Sequence, residues 1–194
     1  RPTKQQQEAF TQAISALEKD GLQIPLIHLA NSAASLTRPS ASHDMVRLGI
    51  SMYGLPPSAV VPLPQEMKRA LSWKTVLASV KTLPPGHGVS YGHEYITSQK
   101  EKIGALPLGY ADGYRRLAGN QVLIHGKRSP VIGRVCMDQC MIKLDHISQP
   151  RVEDEVVLIG QQGDEEITAD EVGRIWGTIN YEVTCAIGPR VPRF

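Results

Sequence analysis

The sequence predicts two unlike pieces in tandem: an α/β unit with a parallel sheet over residues 1–60, then an antiparallel β domain of the barrel or sandwich kind over 61–194. Three observations carry this. The first fifty-odd residues alternate helix-period and strand-like apolar patterns. Residues 54–66, GLPPSAVVPLPQE, hold four prolines and cannot support a regular ladder. Beyond them the chain breaks into short β-prone runs separated by turn signals.

Each element has its own signal. Thr3 to Asp20 carries Phe10, Ile14 and Leu17 at helical spacing and stops at Gly21. IPLIHLA, residues 24–30, is the near-continuous apolar run of a buried parallel strand. A short helix is predicted around Ala33–Leu36, and a second strand in DMVRLGISMYG, residues 44–54. Two parallel strands cannot bury a core, so the chain is expected to be the C-terminal portion of a longer protein. In the second piece LSWKTVLASVKTL, KIGALPLGY, NQVLIHG, SPVIGRVCMDQCMIKL and DEVVLIG read as strands. One helix is predicted to open at Thr168, with Glu171 completing a capping box. The end, NYEVTCAIGPRVPRF, reads as a strand pair or an extended tail.

Composition narrows the function. A formal net charge of +2 is too small to mark a nucleic-acid or membrane footprint. No apolar run is long enough for a transmembrane helix, and the polar start RPTKQQQEAF lacks a signal-peptide pattern. Cys136, Cys140 and Cys185 read as free thiols of a cytoplasmic protein. The single Cys-x3-Cys pair in CMDQC has no second pair nearby, so no metal site is expected.

The candidate chemistry lies at strand ends. Asn31 and Ser32 follow the first strand, and Gly49 and Ile50 end the second. A serine, small residues and a glycine in such loops suit phosphate binding, while Asn31 and Ser32 equally suit a helix cap. His28 reads as a packed core histidine. Arg47 sits within an apolar strand pattern and needs an acceptor, either in the protein or on a ligand. Tyr91, in GVSYGHEY after the breaker LPPGHG, fits an ordinary strand aromatic as well as a proton-transfer group.

Six segments together settle more than any one. HLANSAA, VRLGISMYG, GVSYGHEY, PLGYADGY, GRVCMDQCM and NYEVTCAIGPRVPR occur in an order and approximate spacing that resembles bacterial alanine racemases, from about His28 to Arg193. The resemblance implies a pyridoxal 5'-phosphate enzyme whose TIM-type β/α barrel, represented here by its last βα units, precedes a C-terminal β domain. It implies interconversion of L- and D-alanine by two-base α-proton transfer on a cofactor aldimine, supplying D-alanine for peptidoglycan. Ser32, Gly49, Ile50 and Tyr181 would hold the cofactor phosphate, Asn31 would support that loop, and Arg47 would donate to the pyridine nitrogen. Tyr91 would be one base, a role that demands nearby positive charge because tyrosine ordinarily titrates near pH 10. The glycines at 88 and 92 would let its phenol approach the cofactor. Met137 would bind the substrate carboxylate through its backbone N–H, and Tyr110 would line the entrance. Asp112, Asp138 and Glu182 read as loop holders. The family's Schiff-base lysine has no counterpart in these residues, so the chain alone is expected not to racemise alanine. The family's head-to-tail homodimer would make Tyr91 and Met137 serve the partner's cofactor.

Two other classes remain. A related barrel enzyme, such as an amino-acid decarboxylase, would pair the ring nitrogen with an acid and bind phosphate with a glycine-rich loop, which Arg47 and ANSAA disfavour. A broad-specificity or serine racemase differs in details such as Glu94, a charge near the entrance. A non-catalytic β module would use GKR, residues 126–128, against nucleic acid or a partner, and the low net charge speaks against it.

Overall fold

The computed structural model describes residues 2–194, which form two compact units, up to Ala70 and from Leu71 onward. In the first unit α1 spans Pro2–Lys19. Proline is tolerated in a first helical turn because that N–H has no intrahelical partner. The helix closes at Gly21, whose φ of +80° lets Leu22 N–H turn back to the Leu17 carbonyl at 3.0 Å. Strand β1, His28–Asn31, pairs in parallel with β2, Met45–Arg47, in the register His28↔Met45 and Asn31↔Arg47. The crossover between them is α2, Ser32–Thr37, and a 3-10 turn at Pro39–Ala41. Both strands are shorter than their apolar runs, and the second run continues as a 3-10 turn, Ile50–Tyr53.

The stretch 61–70, assigned to the β domain from its composition, clusters with the first unit. Ala70 N–H donates to the Tyr53 carbonyl, and a Cβ at Gly54 would lie 2.0 Å from the Lys68 carbonyl oxygen. The chain thus folds back on its own proline-rich segment before leaving.

The second unit is the expected antiparallel β domain. Its strands are β3 (Trp73–Val76), β4 (Ser79–Leu83), β5 (Gly88–Val89), β6 (Tyr95–Ile96), β7 (Glu101–Leu106), β8 (Gln121–Ile124), β9 (Lys127–Ile132), β10 (Cys140–Lys143), β11 (Glu155–Gln162) and β12 (Glu165–Ile167). The main sheet runs β12-β11-β8-β9-β10-β7-β4, with β3 also on β11. β3 and β4 are one bent strand: Leu77 N–H bonds the Asp154 carbonyl, and Ala78 N–H bonds the Ala105 carbonyl. That bend carries the pairing from β11 across to β7, so the ladder returns on itself in barrel fashion. Leu77, Leu106, Leu123, Ile142, Leu144 and Leu158 are fully buried within it. Gly104 leaves room there for the ends of Leu77 and Leu144, which a Cβ would meet at 2.6 and 2.8 Å.

Two helices, not one, follow the sheet. α3, Ala169–Trp176, starts as expected: Glu171 N–H donates to Thr168 Oγ1 at 3.1 Å. The Glu171 carboxylate turns instead to Arg128. The end of the chain corrects the strand reading, because Asn180–Ala186 is helix α4. Its β-branched residues favour strand, but Val183 and Asn180 are buried and Asn180 Nδ2 donates to Asp170 Oδ1 at 3.0 Å. Docking on α3 overrides local propensity.

Candidate active site

In the first unit the loops after β1 and β2 are tied together. Ser32 is buried and its Oγ accepts from Gly49 N–H at 2.8 Å. Asn31 caps α2: its Oδ1 accepts from Ala34 N–H at 3.0 Å. A Cβ at Gly49 would find only the Ser32 hydroxyl, at 3.8 Å, so the space over this junction is open within the unit. A hydroxyl and the first N–H groups of two short helical segments meet here, a donor set suited to an anion.

Arg47 departs from the expectation of a buried strand arginine, because it is exposed at the end of β2. His28, in turn, is no packed core residue. It is half-buried, and its Nδ1 lies 2.7 Å from Arg47 Nη1. Guanidinium only donates, so Nδ1 is the acceptor and the ring proton sits on Nε2. Arg47 is therefore fixed by a neutral partner, leaving a permanent cation directed from the strand end.

In the second unit Tyr91 is 71% exposed, so it is not packed in this unit's own core. It rides the tip of the β5–β6 hairpin, whose register is Gly88↔Ile96 and Val89↔Tyr95. The legs are anchored: Val89 packs with Ile103 and Ile132, against Tyr95, Met141 and Leu83. Under Tyr95 lies Glu101, 1% exposed, a carboxylate hidden in the sequence within a run of surface-like charges. It accepts from the Tyr95 hydroxyl and from Ser98 N–H, and Lys143 Nζ is 3.3 Å away. The Tyr95 hydroxyl, more than any other contact, holds the Glu101 carboxyl down at about 2, against its desolvation. Lys143 also donates to the Tyr95 oxygen at 3.2 Å and lies over its ring.

The tip itself is strained. Ser90 has φ 62° and ψ −177°, a region that is essentially glycine territory and costs about 1–3 kcal/mol. Gly92 (φ 73°) and His93 (φ 48°) are also left-handed. The space a Cβ would take at Gly88 is filled by the His93 ring, at 2.4 Å. Gly88 therefore closes the hairpin on itself instead of clearing a path for the phenol. Glu94 pairs with Arg134, and that guanidinium holds the carboxyl below its usual range, with Arg116 adding to the effect.

Met137 and Tyr110, 53% and 45% exposed, sit on two loops joined through their backbones. Tyr110 N–H donates to the Cys136 carbonyl and Ala111 N–H to the Met137 carbonyl, both at 3.0 Å. Gly109 makes this possible: its Cβ would lie 2.1 Å from the Cys136 oxygen. Arg190 then bridges Asp112, at 3.2 Å, and Asp138, at 2.7 Å. Asp112 Oδ2 accepts from Gly109 N–H at 2.8 Å, so both aspartates do hold loops. Tyr181 lies on α4, and Glu182 beside it pairs with Arg115 at 3.4 Å. The cysteines are all free, no group of metal-ligating side chains occurs among the described residues, and no described helix is long and apolar enough to cross a membrane.

Comparison with known proteins decides the family. Residues 1–57 match the model for "Alanine racemase, N-terminal domain" and residues 70–194 that for "Alanine racemase, C-terminal domain". The chain belongs to the alanine racemase family. It is 48% identical to the alanine racemase of Desulfovibrio desulfuricans over 95% of this chain and 49% of that protein. With the Geobacillus kaustophilus alanine racemase it shares 54% identity over 87% of its own length and 44% of the relative's. The crystal structure of the Bacillus anthracis alanine racemase with bound L-Ala-P superposes with a TM-score of 0.93 at 44% identity, covering 98% of this chain and 50% of that one. The chain thus spans about half the length of the racemases it matches.

Proposed function

We propose that these residues belong to an alanine racemase, as the last βα units of its barrel and its C-terminal β domain, and that they supply one of two opposed bases, most of the phosphate cradle and the substrate carboxylate site. The observation that carries this reading is Arg47, an exposed cation locked on His28 at a strand end.

Pyridoxal 5'-phosphate, when bound, supplies an electron sink that acidifies the α-proton of an amino acid. Ser32, Gly49 and Ile50 would hold its phosphate, Tyr181 would offer a further hydroxyl, and Asn31 would keep the Ser32 loop in place. Arg47 would donate to the pyridine nitrogen, and because a guanidinium does not surrender its proton it would not protonate that nitrogen. A reaction that removes and returns one proton at one carbon is favoured over those that need extended delocalisation. A decarboxylase-type site would put a carboxylate where Arg47 stands.

Met137 N–H receives the alanine carboxylate, and Tyr110 narrows the entrance to a small side chain. The Tyr91 phenolic oxygen exchanges the α-proton on one face, a lysine from another part of the protein on the opposite face. In a two-fold homodimer Tyr91 and Met137 of one chain serve Ser32 and Arg47 of the other. The work is cytoplasmic, where D-alanine is drawn into peptidoglycan.

Subunit complementation tests this. Two inactive full-length enzymes are mixed after dissociation, one lacking the Schiff-base lysine and the other carrying Tyr91→Phe. Random pairing makes half of the dimers hybrid, and in each hybrid one site has both defects and the other none, so roughly a quarter of all sites recover. No recovery, with hybrids verified by native mass, rejects the shared site. Wild-type activity of Tyr91→Phe rejects the catalytic tyrosine.

A further inference from the structure

Ser90 carries two unfavourable features. Its backbone sits at φ 62°, ψ −177°, and its Oγ is buried with no hydrogen-bond partner among the described residues. Glycine would meet the same backbone need without either penalty, and the chain uses glycine two residues later, at Gly92, where φ is 73°. A serine kept in such a place points to something the side chain itself does.

What it does is visible across the neighbouring loop. Gly133 (φ 64°) lies so close that a Cβ there would be 2.9 Å from Ser90 Oγ, 3.0 Å from Ser90 Cβ and 2.9 Å from the Val89 carbonyl oxygen. The Ser90 side chain therefore fills the space that a side chain at Gly133 would take. The residues on either side of the tip are fixed independently: Val89 in the small core with Ile103 and Ile132, Tyr95 on Glu101 and Lys143. Between those two points Glu94 on Arg134 and the His93 ring against Gly88 hold the far side of the tip, and residue 90 is the joint on the near side of Tyr91. A glycine at that joint would admit several φ/ψ basins and let Tyr91 swing. A serine admits fewer, and with its Cβ and Oγ lodged beside Gly133 it is held in this one although the basin itself is strained.

We infer that Ser90 is a positioning residue for Tyr91: its strained backbone, with the side chain lodged beside Gly133, fixes the direction in which the phenol leaves the hairpin. The inference rests on Tyr91 being a proton-transfer group.

The test uses the complete holoenzyme with Ser90→Gly, Ser90→Ala and, as a control, Tyr91→Phe. Thermal midpoint, kcat and KM in both directions, and α-deuterium isotope effects on L- and D-alanine are measured. Ser90→Gly removes the lodged side chain and the strain together. Its melting temperature holds or rises, while kcat/KM falls about ten- to a hundredfold. Because enantiomers have equal free energy, that fall is the same in both directions. The isotope effect is not: it grows only with the enantiomer whose proton Tyr91 takes. Ser90→Ala keeps Cβ and the backbone restriction, loses only the unpartnered hydroxyl, and retains wild-type rates.

Wild-type kcat and isotope effects in Ser90→Gly would overturn the inference while leaving Tyr91 in place, provided Tyr91→Phe is inactive. A melting temperature that drops in Ser90→Gly, with both isotope effects unchanged, would show a merely structural residue. Full activity of Tyr91→Phe would remove the underlying reading itself, and the role of Ser90 with it.

Discussion

The β domain presents its exposed groups in two ways. The hairpin at 88–96 holds Tyr91 with anchored legs and a strained tip: a buried carboxylate below, left-handed residues above. The loops at 109–114 and 136–138 hold Tyr110 and Met137 with ordinary backbone pairing, one close glycine contact and an exposed arginine across two aspartates. On the proposed reading the hairpin fixes a side-chain oxygen, which has its own rotatable bonds, so the backbone beneath it has to be stiff. On the same reading the loops fix a backbone N–H, which is already rigid once the loop is, so hydrogen bonds suffice. The difference is between aiming a long lever and fixing a short one.

The loop pair is broken most severely by Gly109→Ala. The new Cβ meets two backbone carbonyl oxygens, of Cys136 and Met137, at 2.1 and 2.4 Å, and neither can rotate away. The β domain is expected to lose about 3 kcal/mol, with a fall in melting temperature on the order of 10 °C by calorimetry. A melting temperature equal to wild type would mean the two loops are not pinned to each other.

The hairpin is probed more gently through Glu101. Its folded carboxyl titrates near 2, below the ordinary 4.5, chiefly because of the Tyr95 hydroxyl. A depressed carboxyl adds stability that is complete above its ordinary value and is lost as pH falls from there toward 2. Protection of the amides of residues 88–96, taken against their intrinsic exchange rates, is expected to fall over that window, ahead of the main sheet. In Glu101→Gln the same amides exchange faster at neutral pH and lose most of their acid dependence. An unchanged profile in the variant would detach the buried carboxylate from the hairpin.

The smallest effect sharpens the contrast. Arg190→Ala removes the bridge between Asp112 and Asp138, but Arg190 is half exposed and the backbone pairing remains. In the complete enzyme KM for alanine is expected to rise about tenfold with kcat nearly unchanged, the mark of lost ground-state binding. A fall in kcat at constant KM would place Arg190 with the hairpin's kind of control instead.

The general plan of the molecule was legible because it rests on period and punctuation. Phe10, Ile14 and Leu17 marked α1, Thr168 marked α3, and the turn signals marked the β domain. What escaped depends on distant contacts. α4 carries a strand-like sequence and is helical because Asn180 and Val183 are buried. Glu101 stands in SQKEK, which reads as solvated, and only the return of Tyr95 and Lys143 over it makes it a core residue. His28 needed Arg47, nineteen residues on, to become anything but packing. Ser90 is the extreme case: φ/ψ strain in a serine leaves no trace in composition. Six short segments gave Tyr91, Met137 and Ser32 as candidates, yet no segment could say how each is held.

The bend at Leu77–Ala78 also constrains how the β domain is made. The strand on one side of it bonds β7, about twenty residues downstream, and the strand on the other side bonds β11, about eighty. During synthesis from the N-terminus the first of these partners emerges early, while Trp73–Val76 waits until Glu155–Ile159 has left the ribosome. Throughout that interval a β-prone segment carries unpaired N–H and C=O groups, so this is where a nascent chain is open to chaperones or to mispairing with another copy. The first strand of the domain is among the last to be secured.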